Sequence, residues 1–356
     1  MERLNHITCL EINSGDLIKN LNFFQSKLKP KVKSMLVVKA SAYGSSMELV
    51  AKILEDKASY FAVAYLDEGV RLRNAGVKKP ILVLHPQYDN LTVFSNYDLE
   101  VTAYNFRILE RAQKLGLKIH IKLNTGLNRL GFDIEQIEEL APKLTGIKSV
   151  FSHLAASEDP EEKAFTLKQI QLFKKGADRL KKLTQLSFFR HMSNTSAILN
   201  YPEAQFDMVR MGLGLHGFSN DSFINRNLKM SWTFKSQISQ IRTVKKGAPI
   251  GYNLAERAET DLKIGIIPVG HADGFSRQLG NGKGWVLING QKAYTKGNIC
   301  MDMILVDLSD IEAYEGSTVI IYENQETVNH FAKICNTIPY ELLTAIGGRI
   351  NRSLIS

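Results

Sequence analysis

The sequence predicts an α/β protein: a (β/α)8 barrel of the TIM type, followed by a smaller, mostly β C-terminal domain. Two observations predict it. Over the first two thirds of the 356 residues, short β-branched apolar runs alternate with amphipathic stretches. After about residue 226 helical periodicity gives way to strand-like runs. The composition, 44% hydrophobic and 23% charged, lets a chain of this length bury a sizeable core without disulfides or metals.

The strand candidates of the first part are residues 35–40 (MLVVKA), 60–65 (YFAVAY), 80–84 (PILVL), 99–103 (LEVTA), 118–123 (KIHIKL), 147–152 (IKSVFS), 186–191 (LSFFRH) and 207–212 (DMVRMG). Between most of them lie helical patterns at 46–54, 67–74, 105–115, 134–144 and 160–183. Asp67 and Asn105 suit N-caps, and Gly76 and Gly116 suit C-terminal stops. Apolar strands buried on both faces and alternating with helices read as a parallel sheet. Eight such units point to a closed barrel. An open doubly wound sheet has the same periodicity and stays open as the alternative.

In the second part, 232–244, 263–269, 284–293, 299–307 and 317–322 read as strands, with Asn289-Gly290 as a tight hairpin turn. Two short helices follow, at 327–336 and 339–346. The barrel is expected over 8–226 and the β domain over 227–356. The run 6–12 is a candidate extra strand for that second domain, with residues 1–7 possible contributors to it.

The net charge of +9 raises a nucleic-acid reading. Basic residues are scattered among acidic ones with no run of five, so that reading is set aside. A positive surface also attracts small anionic ligands. Cys9, Cys300 and Cys335 form no metal-binding spacing and no disulfide framework. No signal-peptide plan and no apolar run of the ~18 residues that span a membrane is present. A cytoplasmic protein is expected, with no membrane and no nucleic-acid partner.

Gly212-Leu-Gly214-Leu-His-Gly217 fits the dinucleotide fingerprint, yet no helical pattern and no acidic residue at the required distance follow it. A better reading uses its position after the eighth strand, while Asn194-Thr195 follows the seventh. In TIM barrels these two loops often hold a phosphate with backbone N–H groups. Lys39 closes the first strand. It reads either as a solvated lysine or as a Schiff-base lysine whose pKa is depressed at a partly apolar barrel mouth.

Motifs in register decide between these. Val37-Val38-Lys39-Ala40-Ser41-Ala42-Tyr43-Gly44 resembles the pyridoxal-5′-phosphate (PLP) attachment segment of the alanine racemase family. Lys122-Leu-Asn-Thr-Gly126-Leu-Asn-Arg129-Leu-Gly131-Phe132, His153, His191-Met-Ser-Asn194-Thr195 and Met208-Val-Arg210-Met-Gly212-Leu213 follow in that family's order. Gly251-Tyr252, Pro268-Val-Gly-His271-Ala-Asp273-Gly274 and Cys300-Met301-Asp302 continue it, so the resemblance runs from about residue 11 to 352.

The resemblance implies a racemase interconverting L- and D-alanine and supplying D-alanine for peptidoglycan. It implies PLP held by Lys39, with Lys39 and the tyrosine Tyr252 as acid/bases on opposite faces of the substrate Cα. A phenol with its ordinary pKa near ~10 needs nearby positive charge for this. Arg210 would face the pyridine nitrogen. An arginine keeps its proton, so that nitrogen would stay unprotonated and a long-lived carbanion would be disfavoured. Tyr43, Asn194 and Thr195, with the backbone at Gly212 and Leu213, would hold the phosphate, and His153 would buttress Arg210. Arg129 would reach the cofactor's phenolic oxygen and the substrate carboxylate. Lys122 matches a position carbamylated in many relatives, where the anion orients the arginine. Met301 and Asp302 would close the substrate pocket. The site would be completed across a homodimer, Tyr252, Met301 and Asp302 serving the partner's barrel. No metal is implied.

Several residues depart from the family pattern. Ser45-Ser46 replaces a His-Gly pair, His271 stands where tyrosine is commoner, and Asn298 replaces an arginine. Gly348 aligns with a tyrosine that narrows the pocket in many relatives, so a broad-specificity or serine racemase is the alternative on the same fold. A related PLP decarboxylase is disfavoured by Arg210. A non-enzymatic PLP-binding homeostasis protein resembles the barrel alone, whereas this chain carries the second domain.

Overall fold

A computed structural model of the chain describes residues 6–219 and 225–355. Two compact units emerge. One comprises Leu17–Ala42 with Met47–Leu228; the other comprises Tyr43–Ser46, the segment ending at Asp16 and the chain from Lys229 onward.

In the first unit eight parallel strands close on themselves: β1 (Lys33–Val37), β2 (Tyr60–Val63), β3 (Ile81–Val83), β4 (Leu99–Ala103), β5 (Ile119–Asn124), β6 (Ser149–Phe151), β7 (Phe189–His191) and β8 (Met208–Met211). The order is β4-β3-β2-β1-β8-β7-β6-β5, and β4 pairs with β5 to close the ring. This is the expected barrel, and the open sheet is excluded. Every residue of β2, β3 and β4 is buried; β2 and β3 therefore read as unbroken apolar runs, whereas β4 buries Glu100 and Thr102 between its apolar residues. Asn105 caps its helix, accepting from the Ile108 N–H at 2.9 Å, and Gly76 and Gly116 follow their helices with positive φ. Among the described residues no helix is long and apolar enough to cross a membrane.

In the second unit nine strands form one sheet. Its order is Gln240–Val244, Leu262–Ile267, Ile304–Asp307, Gln291–Lys296, Trp285–Ile288, Thr318–Tyr322, Trp232–Gln237, Cys9–Asn13 and Asn351–Ile355. Neighbouring strands run antiparallel except the last pair. The strand near the N-terminus is therefore real and begins at Cys9; residues 1–5 lie outside the described part. It pairs in this sheet, although the barrel was expected to start at residue 8. Asn289 and Gly290 both take positive φ at the hairpin turn, as a primed turn requires.

Several expected elements differ. The first barrel strand stops at Val37, two residues before Lys39. The helix after β2 starts at Leu66, so Asp67 sits inside its first turn and Tyr65 is the cap position. The helical pattern at 134–144 is three pieces, Ile134–Gln136, Ile137–Leu140 and Ala141–Lys143, the last containing Pro142, which has no N–H to give. The expected strand 232–244 is two strands. At the break, Ile238 N–H donates to Ser317 O while Ser239 N–H donates to Ile266 O, so the chain changes neighbours there. Of 299–307 only Ile304–Asp307 is a strand.

Candidate active site

Lys39 opens an unusual turn. Ala40, Ser41, Ala42 and Tyr43 all have φ between 50° and 57°, and Gly44 follows at 86°. Left-handed backbone costs an L-residue roughly 1–2 kcal/mol each, so the surroundings must fix it. The buried Glu68 carboxylate does part of this. It accepts from Ala40 N–H at 2.6 Å with one oxygen, and from Ala64 and Tyr65 N–H with the other. Ala42 N–H donates to Val38 O at 2.8 Å. In the second unit Arg352 donates to the carbonyls of Gly44, Ser45, Ile346 and Gly347, fixing the far end of the turn. No sequence signal singled out Glu68 or Arg352.

Around Lys39 the barrel gathers cations. Burial lowers the Lys39 pKa, reinforced by Arg129 and Arg210 and opposed by Glu68. Lys122, on β5, is pushed down to about 7 by burial and then by Arg210, Arg129 and Lys39. Burial and Arg129 bring Arg210 to about 9, still charged at neutral pH. Its guanidinium donates to His191 Nδ1 at 2.8 Å, to His153 Nδ1 at 3.0 Å, and to the carbonyls of Ser152 and Met192. Desolvation and these four cations hold His153 neutral. Arg129 lies on an exposed loop that Asn124 shapes, its Oδ1 accepting from Gly126 and Asn128 N–H.

Beside them the ends of β7 and β8 meet. Asn194 caps the helix Thr195–Asn200, accepting from Ala197 N–H at 3.0 Å. Thr195 Oγ1 accepts from Gly212 N–H at 3.2 Å, which ties the two loops together. The glycine-rich run becomes a short 3-10 turn, Leu213–His216. A Cβ on Gly214 would overlap Thr195 Cγ2 and the Phe24 ring, so glycine permits this approach. Hydroxyl, cap and backbone N–H groups converge here at the carboxyl ends of strands seven and eight.

The second unit holds the remaining candidates. Tyr252 begins the 3-10 turn Tyr252–Leu254, is 68% exposed, and its carbonyl accepts from Asn298 Nδ2 at 3.1 Å. His271 N–H donates to Cys300 O and Ala272 N–H to Met301 O, so the 271–273 turn lies against the 300–302 segment. Met301 is exposed, and Asp302 pairs with Arg349, which also grips the buried Asp273. The Tyr43 ring packs edge-on to Tyr340 at 6.0 Å, and burial raises its phenol pKa, which keeps the proton available for donation. A Cβ on Gly348 would meet nothing within 4 Å.

Residues 12–220 match the family described as "Alanine racemase, N-terminal domain", and residues 231–354 match "Alanine racemase, C-terminal domain". The chain belongs to the alanine racemase family. The curated alanine racemase of Thermodesulfovibrio yellowstonii is 35% identical, over 97% of this chain and 97% of its own. That of Clostridium kluyveri is 33% identical over 97% and 93%. The solved alanine racemase of Clostridium difficile 630 superposes with a TM-score of 0.92 at 31% identity, covering 99% of this chain and 97% of that one. The Bacillus anthracis alanine racemase with bound L-Ala-P gives 0.90 at 28% identity over 99% and 96%.

The donor set suits the cofactor expected of this family. Arg129 and Arg210 both lower the pKa of Lys39 and of Lys122, and Glu68 is the one carboxylate among the influences on Lys39. Such an excess of half-buried positive charge calls for an anionic ligand. A phosphate at the Thr195–Gly212 edge and a phenolate and carboxylate near Arg129 would supply it.

Proposed function

We propose that this chain is a PLP-dependent racemase that interconverts L- and D-alanine as a cytoplasmic homodimer and supplies D-alanine for peptidoglycan. The single observation that carries this reading is Lys39: an amine with a depressed pKa, presented on a rigid left-handed turn among Arg129, Arg210 and Lys122. Membership of the alanine racemase family supports reading that amine as the one that carries the cofactor.

When bound, PLP supplies the electron sink that acidifies the substrate Cα–H. The residues divide the rest. Lys39 would hold the cofactor through its amine and would move a proton on one face of the substrate Cα. Tyr252 of the partner subunit moves the proton on the other face. Arg210, which keeps its own proton, would hold the cofactor at its ring nitrogen and would there limit side reactions. Tyr43, Asn194, Thr195 and the Gly212–Leu213 backbone would hold the phosphate, and His153 buttresses Arg210. Arg129 orients the substrate carboxylate, and the partner's Met301 and Asp302 close the pocket. Lys122, with a pKa of about 7, presents a large neutral fraction at physiological pH. That amine adds to CO2 and releases a proton, and the resulting carbamate anion offsets the surrounding cations and steadies Arg129.

A second reading rests on Gly348. It stands where many relatives carry a tyrosine that narrows the pocket, and losing that side chain favours room for serine beside alanine. The test is direct. The purified protein should absorb in the bound-PLP range, convert D-alanine to L-alanine by chiral chromatography, and lose both properties in Lys39→Ala. Retained turnover in that variant would refute the assignment; equal turnover of serine would establish the broader specificity.

A further inference from the structure

TIM barrel interiors are ordinarily packed with branched apolar side chains. Here a polar row crosses five neighbouring strands, one residue from each. Arg210 on β8 donates to His191 Nδ1 on β7 at 2.8 Å. His191 Nε2 meets Ser149 Oγ on β6 at 2.9 Å. Ser149 Oγ meets His120 Nδ1 on β5 at 2.6 Å. His120 Nε2 meets Glu100 Oε2 on β4 at 2.7 Å. All five residues are buried, from 0% to 4% exposed.

The two ends fix the direction of every proton. A guanidinium only donates, so His191 Nδ1 must be bare and its proton must sit on Nε2, pointing at Ser149. The serine then gives its own proton to His120 Nδ1, and His120 Nε2–H points at Glu100. A carboxylate only accepts, so it enforces the same sense from the other end. Lys118 Nζ lies 4.0 Å from the second Glu100 oxygen, an opposite charge beside the carboxylate. An imidazolium at either histidine would leave a donor without an acceptor. Among the described residues no carboxylate touches Arg210, so Glu100 is the negative end of its hydrogen-bonded row. Such a row, buried where apolar side chains would pack without desolvation cost, needs a purpose other than stability.

We infer that Glu100 is a positioning residue: through His120, Ser149 and His191 it holds the Arg210 guanidinium in place and balances its charge from across the barrel. The inference rests on the role proposed for Arg210 at the cofactor ring. The test uses the full-length holoenzyme with 15N-labelled histidine. In the wild type, His120 and His191 are both neutral with the proton on Nε2. Glu100→Gln keeps the shape and an oxygen that still accepts from His120 Nε2–H, so the tautomers stay as in the wild type while the negative charge is lost. In that variant kcat falls about tenfold in both directions with KM within about twofold, as for other residues that orient a primary ligand. A proton on Nδ1 of His191, an imidazolium at His120, or an unchanged kcat in Glu100→Gln overturns the inference; the wild-type spectrum decides if the variant does not fold. 15N in the cofactor ring separates the two readings. If the tautomers and kcat behave as stated but the ring nitrogen receives no hydrogen bond, the target assigned to Arg210 fails while the row's hold on it stands.

Discussion

Replacing Gly44 by alanine probes the turn that presents Lys39. Two costs follow from the structure. The residue sits at φ 86°, where an alanine pays roughly 1–2 kcal/mol. A Cβ there would also overlap the Leu343 carbonyl oxygen and lie 2.8 Å from its carbon, which are backbone atoms that cannot swing aside. Overpacking of that kind costs roughly 1–3 kcal/mol more. Nor does the turn have room to retreat, because Arg352 holds the carbonyls of Gly44 and Ser45. The sum is about 2–5 kcal/mol. Gly76→Ala is the control: φ is 92°, but nothing lies within 4 Å of its Cβ, so only the first cost applies. Urea unfolding of both variants reads the difference, and racemisation assays should show Gly44→Ala alone losing activity, since Lys39 lies at the other end of the same turn. If Gly44→Ala is no less stable than Gly76→Ala, the steric account of this turn is wrong.

Further outcomes follow from the same site. The Lys122 pKa is depressed to about 7 in the folded protein against its ordinary 10.5, so between these values the unfolded chain holds a proton that the folded one has released. Stability therefore rises with pH across that window, and Lys122→Met should remove up to about 1.4 kcal/mol per pH unit from the slope of unfolding free energy against pH. An unchanged slope would show that the amine is not desolvated. Gly348→Tyr should lower the serine-to-alanine ratio of kcat/KM by restoring a wall, measured by chiral chromatography; an unaltered ratio would mean that this position does not border the substrate.

The barrel was legible because its strands are buried on both faces, so Tyr60–Val63 and Ile81–Val83 stand out as apolar runs between helices capped as Asn105 caps its own. Alternation misled where the chain changes partners without losing its pattern, as at Ile238 and Ser239. The left-handed turn was not legible at all. Ala-Ser-Ala-Tyr contains none of the residues that favour positive φ, and Glu68 and Arg352, which help to impose it, come from distant parts of the chain. The site residues were readable as ordered motifs, yet His120, Ser149 and Glu100 were not. A polar residue in a short strand reads as a strand end until its neighbours across the sheet are known.

Complementation between inactive chains tests the shared active site most directly. Lys39→Ala and Tyr252→Phe are each expected to be nearly inactive alone. Co-refolded one to one, half of the dimers are hybrids, and each hybrid carries one site with both bases intact, so about a quarter of wild-type activity should return if pairing is random. Recovery near that level supports the account; no recovery from verified hybrid dimers contradicts it, because Lys39 and Tyr252 would then serve the same chain.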